Sequence, residues 1–250
     1  MRSASPKRRA LLDLGSNAAR FLLVEIRPGR GFEILEEHRV QTRLGGDRYG
    51  RLPGPAVRKT LRAVHAFLEP AHRSGISRVI TLATAAVRDA DNAESLLGPL
   101  GQRHRLDLRV LSGQEEARLG ARVVEASMPI VRGVVIDLGG GSLQITRVRQ
   151  GDILVATSLP IGAVRATSRF LRHDPPSGAE LGALRREIRG LVSGILPPAV
   201  DGGTLVGLGG LSGRWPASSG RRAARERRST GRGSVGRQSL RSANASKRCP

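Results

Sequence analysis

Apolar residues alternate with polar ones, or run together as β-branched and aliphatic clusters, in nine short stretches: 10–14, 20–26, 32–41, 78–83, 108–111, 132–138, 142–148, 152–158 and 203–208. That pattern predicts strands. Between them the period lengthens to that of a helix. In "PAVRKTLRAVHAFLEPAHR" the residues Val57, Leu61, Val64 and Leu68 share one face, and from Glu180 to Leu196 the residues Leu181, Leu184, Ile188, Leu191 and Ile195 do the same. Strands and helices mixed along the whole chain predict an α/β fold.

Two segments are versions of one device. "LLDLGSNAARFLLVEI" and "VVIDLGGGSLQITRV" each run as an apolar strand ending in Asp-Leu-Gly, a turn of small residues and a second apolar strand. Their aspartates, Asp13 and Asp137, lie 124 positions apart, which points to an internal duplication with one device opening each half. The expected organisation is a first domain over 1–126, a second over 127–210, and a remainder over 211–250.

Composition changes the picture mainly at that remainder. The net charge of +21 would ordinarily suggest a polyanionic partner, but residues 211–250 carry ten Arg and one Lys against one Glu, and so supply +10 of it. Periodicity stops there. A basic Arg/Ser/Gly-rich tail that cannot bury enough apolar surface to order itself is one reading, and a reading-frame shift just after Gly210 is the other. Nucleic acid is disfavoured as partner, because aromatics make up 2% of the chain and Trp215 is the tail's one aromatic. No run of eighteen apolar residues provides a membrane span, and the lone Cys249 offers neither a disulfide framework nor a metal site, so a reducing, cytoplasmic setting is expected.

Candidate chemistry gathers at the turns. A strand turning through Gly139, Gly140, Gly141 and Ser142 exposes successive backbone N–H groups with no side chains in the way, and such concavities bind phosphate oxygens. The turn at Gly15, Ser16 and Asn17 repeats the arrangement. Asp13 and Asp137, at the strand ends, can hold hydrated Mg²⁺, which takes few carboxylates and keeps several waters. One such hairpin alone reads as an ordinary glycine turn, and it is the second copy that reverses the balance.

In "RVLSGQEEARLGARVVE", Ser112 and Glu115 have capping-box spacing, which leaves Glu116 over. It is either a first-turn acid favoured by the helix dipole or a base that activates water beside a bound phosphate. In "TLATAAVRDADNAESLL", Arg88 lies where open α/β sheets place ligand contacts and can grip phosphate, while Asp91 and Asn92 read as helix N-caps. Arg20, on the outgoing strand of the first hairpin, is either a phosphate ligand or an edge-strand charge. The histidines at 38, 65, 72, 104 and 173 have no metal-ligand spacing.

With these residues in view the chain resembles the exopolyphosphatase and guanosine pentaphosphate phosphohydrolase family of the actin-like ATPase superfamily. The resemblance covers residues 10 to 210 and rests on "DLGSNAAR", "TLATAAVRDADN", "LSGQEEARLG", "DLGGGSLQ" and "SLPIGAVRAT" in order, with "VGLGG" near the end. It implies two actin-like domains with mixed sheets and a cleft between them for inorganic polyphosphate or guanosine pentaphosphate, from which the terminal orthophosphate is released. On these positions it implies Glu116 as water-activating base, Asp13 and Asp137 facing Mg²⁺, the two glycine turns lining the phosphates, and Arg20 and Arg88 neutralising them. A homodimer is left open.

Three departures stand out. The family's second turn commonly carries a glutamate at the place of Gln144, and an amide is neutral and cannot take a proton. Ala18 stands where the family has a small polar residue. After Gly210 the family continues with a threonine and further helices that complete the second domain, which is therefore expected to be incomplete here. Gln144 and the missing helices together motivate a second reading, a catalytically impaired polyphosphate- or nucleotide-binding protein.

Overall fold

The computed structural model describes residues 5–29, 31–46, 50–104, 106–196, 203–209 and 236–239. Two five-stranded mixed sheets organise the chain. The first holds β1 (Lys7–Leu14), β2 (Ala18–Arg27), β3 (Gly31–Gln41), β4 (Val79–Ala83) and β5 (Asp107–Val110) in the order β3-β2-β1-β4-β5. The second holds β6 (Arg132–Leu138), β7 (Leu143–Arg149), β8 (Asp152–Leu159), β9 (Thr204–Leu208) and β10 (Gly236–Ser239) in the order β10-β9-β6-β7-β8. Each of the nine expected strands is present. Within the remainder over 211–250 only β10 falls among the described residues; the expectations for the rest of that segment lie outside them.

The duplication is visible in the registers. β1 pairs with β2 antiparallel and with β4 parallel, and β6 pairs with β7 antiparallel and with β9 parallel. Asp13 faces Arg20 across the first hairpin, and Asp137 faces Gln144 across the second. Gln144 is thus the counterpart of Arg20. The repeat breaks at its last strand, since β5 runs parallel to β4 while β10 runs antiparallel to β9.

Helices cover the sheets unequally. α1 (Gly54–Arg73) buries Val57, Val64, Phe67 and Leu68 with Leu12, Leu14, Phe21 and Leu23, and Leu96 and Leu100 of α3 (Glu94–His104) complete this core. Leu61 packs against the same core half-buried. One short helix, α2 (Ala85–Arg88), follows β4 directly, with Ala85, Ala86 and Val87 buried. α4 (Gly113–Ser127) lies on one face of the second sheet, where Val124 meets Val135 and Val206. On the other face α5 (Ala163–Phe170) and α6 (Gly178–Val192) bring Ala166, Phe170, Leu184 and Leu191 to Ile145 and Leu159. No residue of α6 is fully buried, so its apolar stripe rests on the sheet with its margins open. The face of the first sheet turned away from α1 stays open along Ile26 (40% exposed), Phe32 (68%), Ile34 (38%) and Ile80 (42%).

Asn92 does not act as a helix cap through its side chain. Its amide clamps Leu52 instead, with Oδ1 accepting from Leu52 N at 2.8 Å and Nδ2 donating to Leu52 O at 3.1 Å. An amide can satisfy both groups of one peptide residue at once, and this fixes the loop before α1 against the segment before α3. Among the described residues no helix is long and apolar enough to cross a membrane.

Candidate active site

The site is assembled where the two hairpins approach each other. A methyl group on Gly140 would lie 3.1 Å from Ser16 Cβ and 3.6 Å from Asn17 N, so the two turns touch and only a bare backbone fits between them. The first turn is closed by Gly15 N donating to Ala18 O at 3.1 Å. It is braced by the chain after β3, with Thr42 N and Arg43 N on Asn17 O and Gly45 N on Ser16 O. The second is closed by Gly139 N on Ser142 O at 3.0 Å. Its carbonyls at Gly139 and Gly140 accept from Ala163, Val164 and Arg165 at the start of α5. Because a trans peptide points its N–H opposite to its C=O, the amides of Gly140 and Gly141 aim away from α5. Ala18, buried, contributes its backbone to the first turn and no polar group.

Three carboxylates sense one another here. Desolvation pushes Asp13, Asp137 and Glu116 above the usual carboxylate range. For Asp13 the Arg20 cation works against that rise and the Asp137 charge adds to it. The Asp13 side chain reaches solvent, yet protein surrounds it closely enough that desolvation raises its pKa. Among the described residues no cation offsets the desolvation of Asp137, consistent with Gln144 standing where Arg20 stands in the first hairpin.

Glu116 is set by its neighbours in α4. Ser112 Oγ accepts from Glu115 N at 3.2 Å and Glu115 Oε2 accepts from Ser112 N at 2.8 Å, the capping box the spacing predicts. Glu115 is thereby consumed and its carboxyl held below the usual range by the Ser112 amide and hydroxyl and by Arg109. Glu116, one residue on, faces inward to Arg88, whose Nη1 donates to Glu116 Oε2 at 3.2 Å and to Leu111 O at 3.0 Å. Burial raises the Glu116 pKa, Arg88 lowers it, and the charges of Asp137 and Asp13 raise it again. Arg88 therefore holds the acid that the sequence marks as candidate base.

Gln144 is 2% exposed. Its Nε2 donates to Ser142 Oγ at 2.7 Å and to Ser158 Oγ at 3.2 Å, and its Oε1 is buried without a hydrogen-bond partner among the described residues. By donating to Ser142 Oγ the amide leaves that hydroxyl's own proton available to an acceptor. Gly162, at the start of α5, passes so close to the second turn that a Cβ there would sit 2.5 Å from Ser142 N and 2.6 Å from Gly140 O.

Three residues escape a reading of the sequence. Asp89 accepts from Arg88 Nε at 3.3 Å and also pairs with Arg165 of α5, while Ser158 of β8 supports Gln144. Ser158 and Arg165 both lie in "SLPIGAVRAT", and Asp89 is the neighbour of Arg88, so their segments carried the signal though their partners did not.

Residues 22–218 match the Ppx/GppA phosphatase family. The chain belongs to that family. The matched span begins after the first turn and its Arg20, and includes Arg88, Glu116 and the whole second turn. The chain is similar to Exopolyphosphatase 1 of Mycobacterium tuberculosis, at 31% identity over 182 residues, 71% of this chain and 53% of that protein. It thus spans about half the length of this curated family member. Among solved structures it is similar to the Aquifex aeolicus Ppx/GppA member at a TM-score of 0.67 and 29% identity, covering 82% of this chain and 67% of the other. It is also similar to an exopolyphosphatase from Cytophaga hutchinsonii at a TM-score of 0.70 and 24% identity, over 76% and 62% of the two chains. The second likeness speaks for the fold, and both accord with the two-domain actin-like architecture that the family resemblance implies.

Proposed function

We propose that the chain carries the site of an exopolyphosphatase, which releases terminal orthophosphate from inorganic polyphosphate with the help of Mg²⁺. The observation that carries this reading is Glu116: a carboxylate lifted above its ordinary pKa by burial, hydrogen-bonded to Arg88, and within electrostatic reach of Asp13 and Asp137 at the ends of two touching glycine turns. A base must hold a pKa that lets it be ionised yet still accept a proton, and burial moves Glu116 in that direction.

In the reaction, water oxygen attacks the terminal phosphorus and its proton passes to Glu116. The bridging P–O bond breaks, and its electron pair stays with the shortened chain. The amides and the Ser142 hydroxyl of the second turn, with the first turn and Arg20, would hold the non-bridging oxygens, and Arg88 would meet the charge that builds on them. Asp13 and Asp137, a pair of carboxylates at the ends of the two turns, would suit a hard cation that takes few protein ligands and keeps much of its water; among the described residues no cluster of three or more His, Cys, Asp and Glu side chains could hold a metal. When bound, such an ion supplies neutralisation of phosphate charge.

A second reading, binding of polyphosphate or a nucleotide with impaired turnover, is favoured by one observation: Gln144 offers a buried neutral oxygen where the family commonly has a carboxylate. Guanosine pentaphosphate is the alternative substrate in either case. The deciding experiment is orthophosphate release from long-chain polyphosphate with Mg²⁺, beside Glu116→Gln. Turnover in the wild type with a loss of about 10²–10⁴-fold in the variant supports the hydrolase. Equal rates in the two remove Glu116 as the base, and tight binding without turnover in the wild type establishes the second reading.

A further inference from the structure

A chain of charged groups runs from α4 on the second sheet to α2 beside the first sheet and back to α5 on the second. Glu116 (α4) meets Arg88 (α2), Arg88 meets Asp89, and Asp89 meets Arg165 (α5), 76 positions away in sequence. Arg165 also donates its backbone N–H to Gly140 O of the second turn at 3.1 Å. Side-chain exposures run from 17% at Arg165 to 32% at Asp89, so these pairs are shielded from water more than ordinary surface bridges are. Asp89 is itself immobilised as the residue ending α2, with its N–H on Ala85 O at 3.0 Å above three buried residues.

Resting on the phosphohydrolase reading above, we propose that Asp89 and Arg165 form a latch between the two halves that aims Arg88, and through it Glu116, at the phosphate held by the second turn. The donor geometry of arginine supplies the reason. A guanidinium carries its donors in a rigid fork. Asp89 takes Nε, and Leu111 O and Glu116 share Nη1, so that among the described residues Nη2 alone makes no hydrogen bond. Asp89 therefore fixes the plane of the fork, and one nitrogen remains for an arriving oxyanion. Arg165 fixes Asp89 and at the same time stands on Gly140, so the position of the second turn is tied to the orientation of Arg88. Asp89 and Arg165 are positioning residues; neither needs to touch the reacting atoms.

The test is a double-mutant cycle on the full chain, with kcat and KM for long-chain polyphosphate measured in Asp89→Asn, Arg165→Gln and the pair. Each single variant is expected to lower kcat about tenfold or more with KM changed less than about threefold, because Arg88 keeps its charge but loses its aim. The double variant is expected to fall no further than the worse single one, since the two residues act as one device. Arg165→Lys, which keeps the charge, should retain more kcat than Arg165→Gln. Losses that multiply in the double variant, or an unchanged kcat in Asp89→Asn, would overturn the latch.

A second readout separates this from the function itself. Spin labels at Arg58→Cys on α1 and Arg185→Cys on α6, in a Cys249→Ser background, report the distance between the two halves without substrate. The latch predicts a broader distance distribution in Asp89→Asn than in wild type. An equal width overturns the latch even if the wild type hydrolyses polyphosphate, and a broadened one supports it even if the wild type releases no phosphate.

Discussion

Gln144→Glu tests whether the second turn is a cation and phosphate site. The amide is buried, gives both its protons to serine hydroxyls, and sits across from Asp137, whose pKa is already raised by burial. A carboxylate in its place keeps the shape. Both hydroxyls can turn to donate to it, but it adds a buried negative charge next to another. Burial of this kind raises a carboxyl pKa by up to 3–5 units. Taking about 2 units, because two hydroxyls solvate the new group, the variant would lose about 3 kcal/mol at neutral pH without a cation. At about 2–4 °C per kcal/mol, its melting temperature should fall by about 6–12 °C. A divalent cation bound only by the folded state at about 100 times its Kd would return about 2.7 kcal/mol. The assay is a thermal melt of wild type and variant with and without Mg²⁺, followed by phosphate release at limiting Mg²⁺. The expected result is a large fall reversed by Mg²⁺ in the variant and a smaller Mg²⁺ effect in the wild type. The sign with pH is fixed too: a carboxyl raised in the folded state costs stability as pH climbs from its unfolded pKa through its folded one, so the gap should narrow near pH 5. Melting curves that coincide at neutral pH, or Mg²⁺ shifts equal in both proteins, would refute the assignment of this turn.

Other outcomes follow from the same geometry. Arg88→Met should lower kcat more than it raises KM, because it removes a charge-assisted contact of about 1.5–3 kcal/mol to the charge that builds on phosphate, and should move the acid limb of the pH–rate profile upward because Arg88 now lowers the Glu116 pKa; a stationary limb would unlink the two. Gly162→Ala places a Cβ 2.5 Å from Ser142 N, where backbone must give way. Such overpacking costs about 1–3 kcal/mol, read as a lower denaturation midpoint at unchanged m-value. Glu180 is pulled down to about 2, chiefly by the Ser177 and Arg172 amides, so its contribution is present above its unfolded pKa and is lost as pH falls toward 2. Glu180→Gln should therefore lower the melting temperature at neutral pH by an amount that shrinks as pH falls toward 2, and a gap that stays constant with pH in circular dichroism would count against the cap.

What the sequence discloses and what it hides divide by distance along the chain. Strand alternation, the Ser112–Glu115 cap and the Asp-Leu-Gly turns are interactions among near neighbours, and each is present as read. The capping box also left Glu116 as the surplus acid, and the structure turns it inward to Arg88. The hidden part is contact between remote segments. Arg88 and Glu116 lie 28 positions apart, Gln144 and Ser158 14, and Asp89 and Arg165 76, and no periodicity encodes such pairings. Asn92 shows the same limit, since a local rule marks it as a cap while a partner 40 positions away claims its amide. Amphipathic spacing identified α6 as a helix but not how shallowly it rests, with Ile188 still 37% exposed.

The open stripe along Ile26, Phe32, Ile34 and Ile80 governs how the protein should behave as a solute. At low ionic strength the net charge of +21 keeps molecules apart over a screening length of about 10 Å at 0.1 M salt. Near 1 M that length shrinks to about 3 Å, and the water-shunning stripe then meets its like with little repulsion to prevent it. Added salt should therefore drive this chain toward turbidity, the reverse of salting-in, and a polar replacement at Phe32 should postpone the onset.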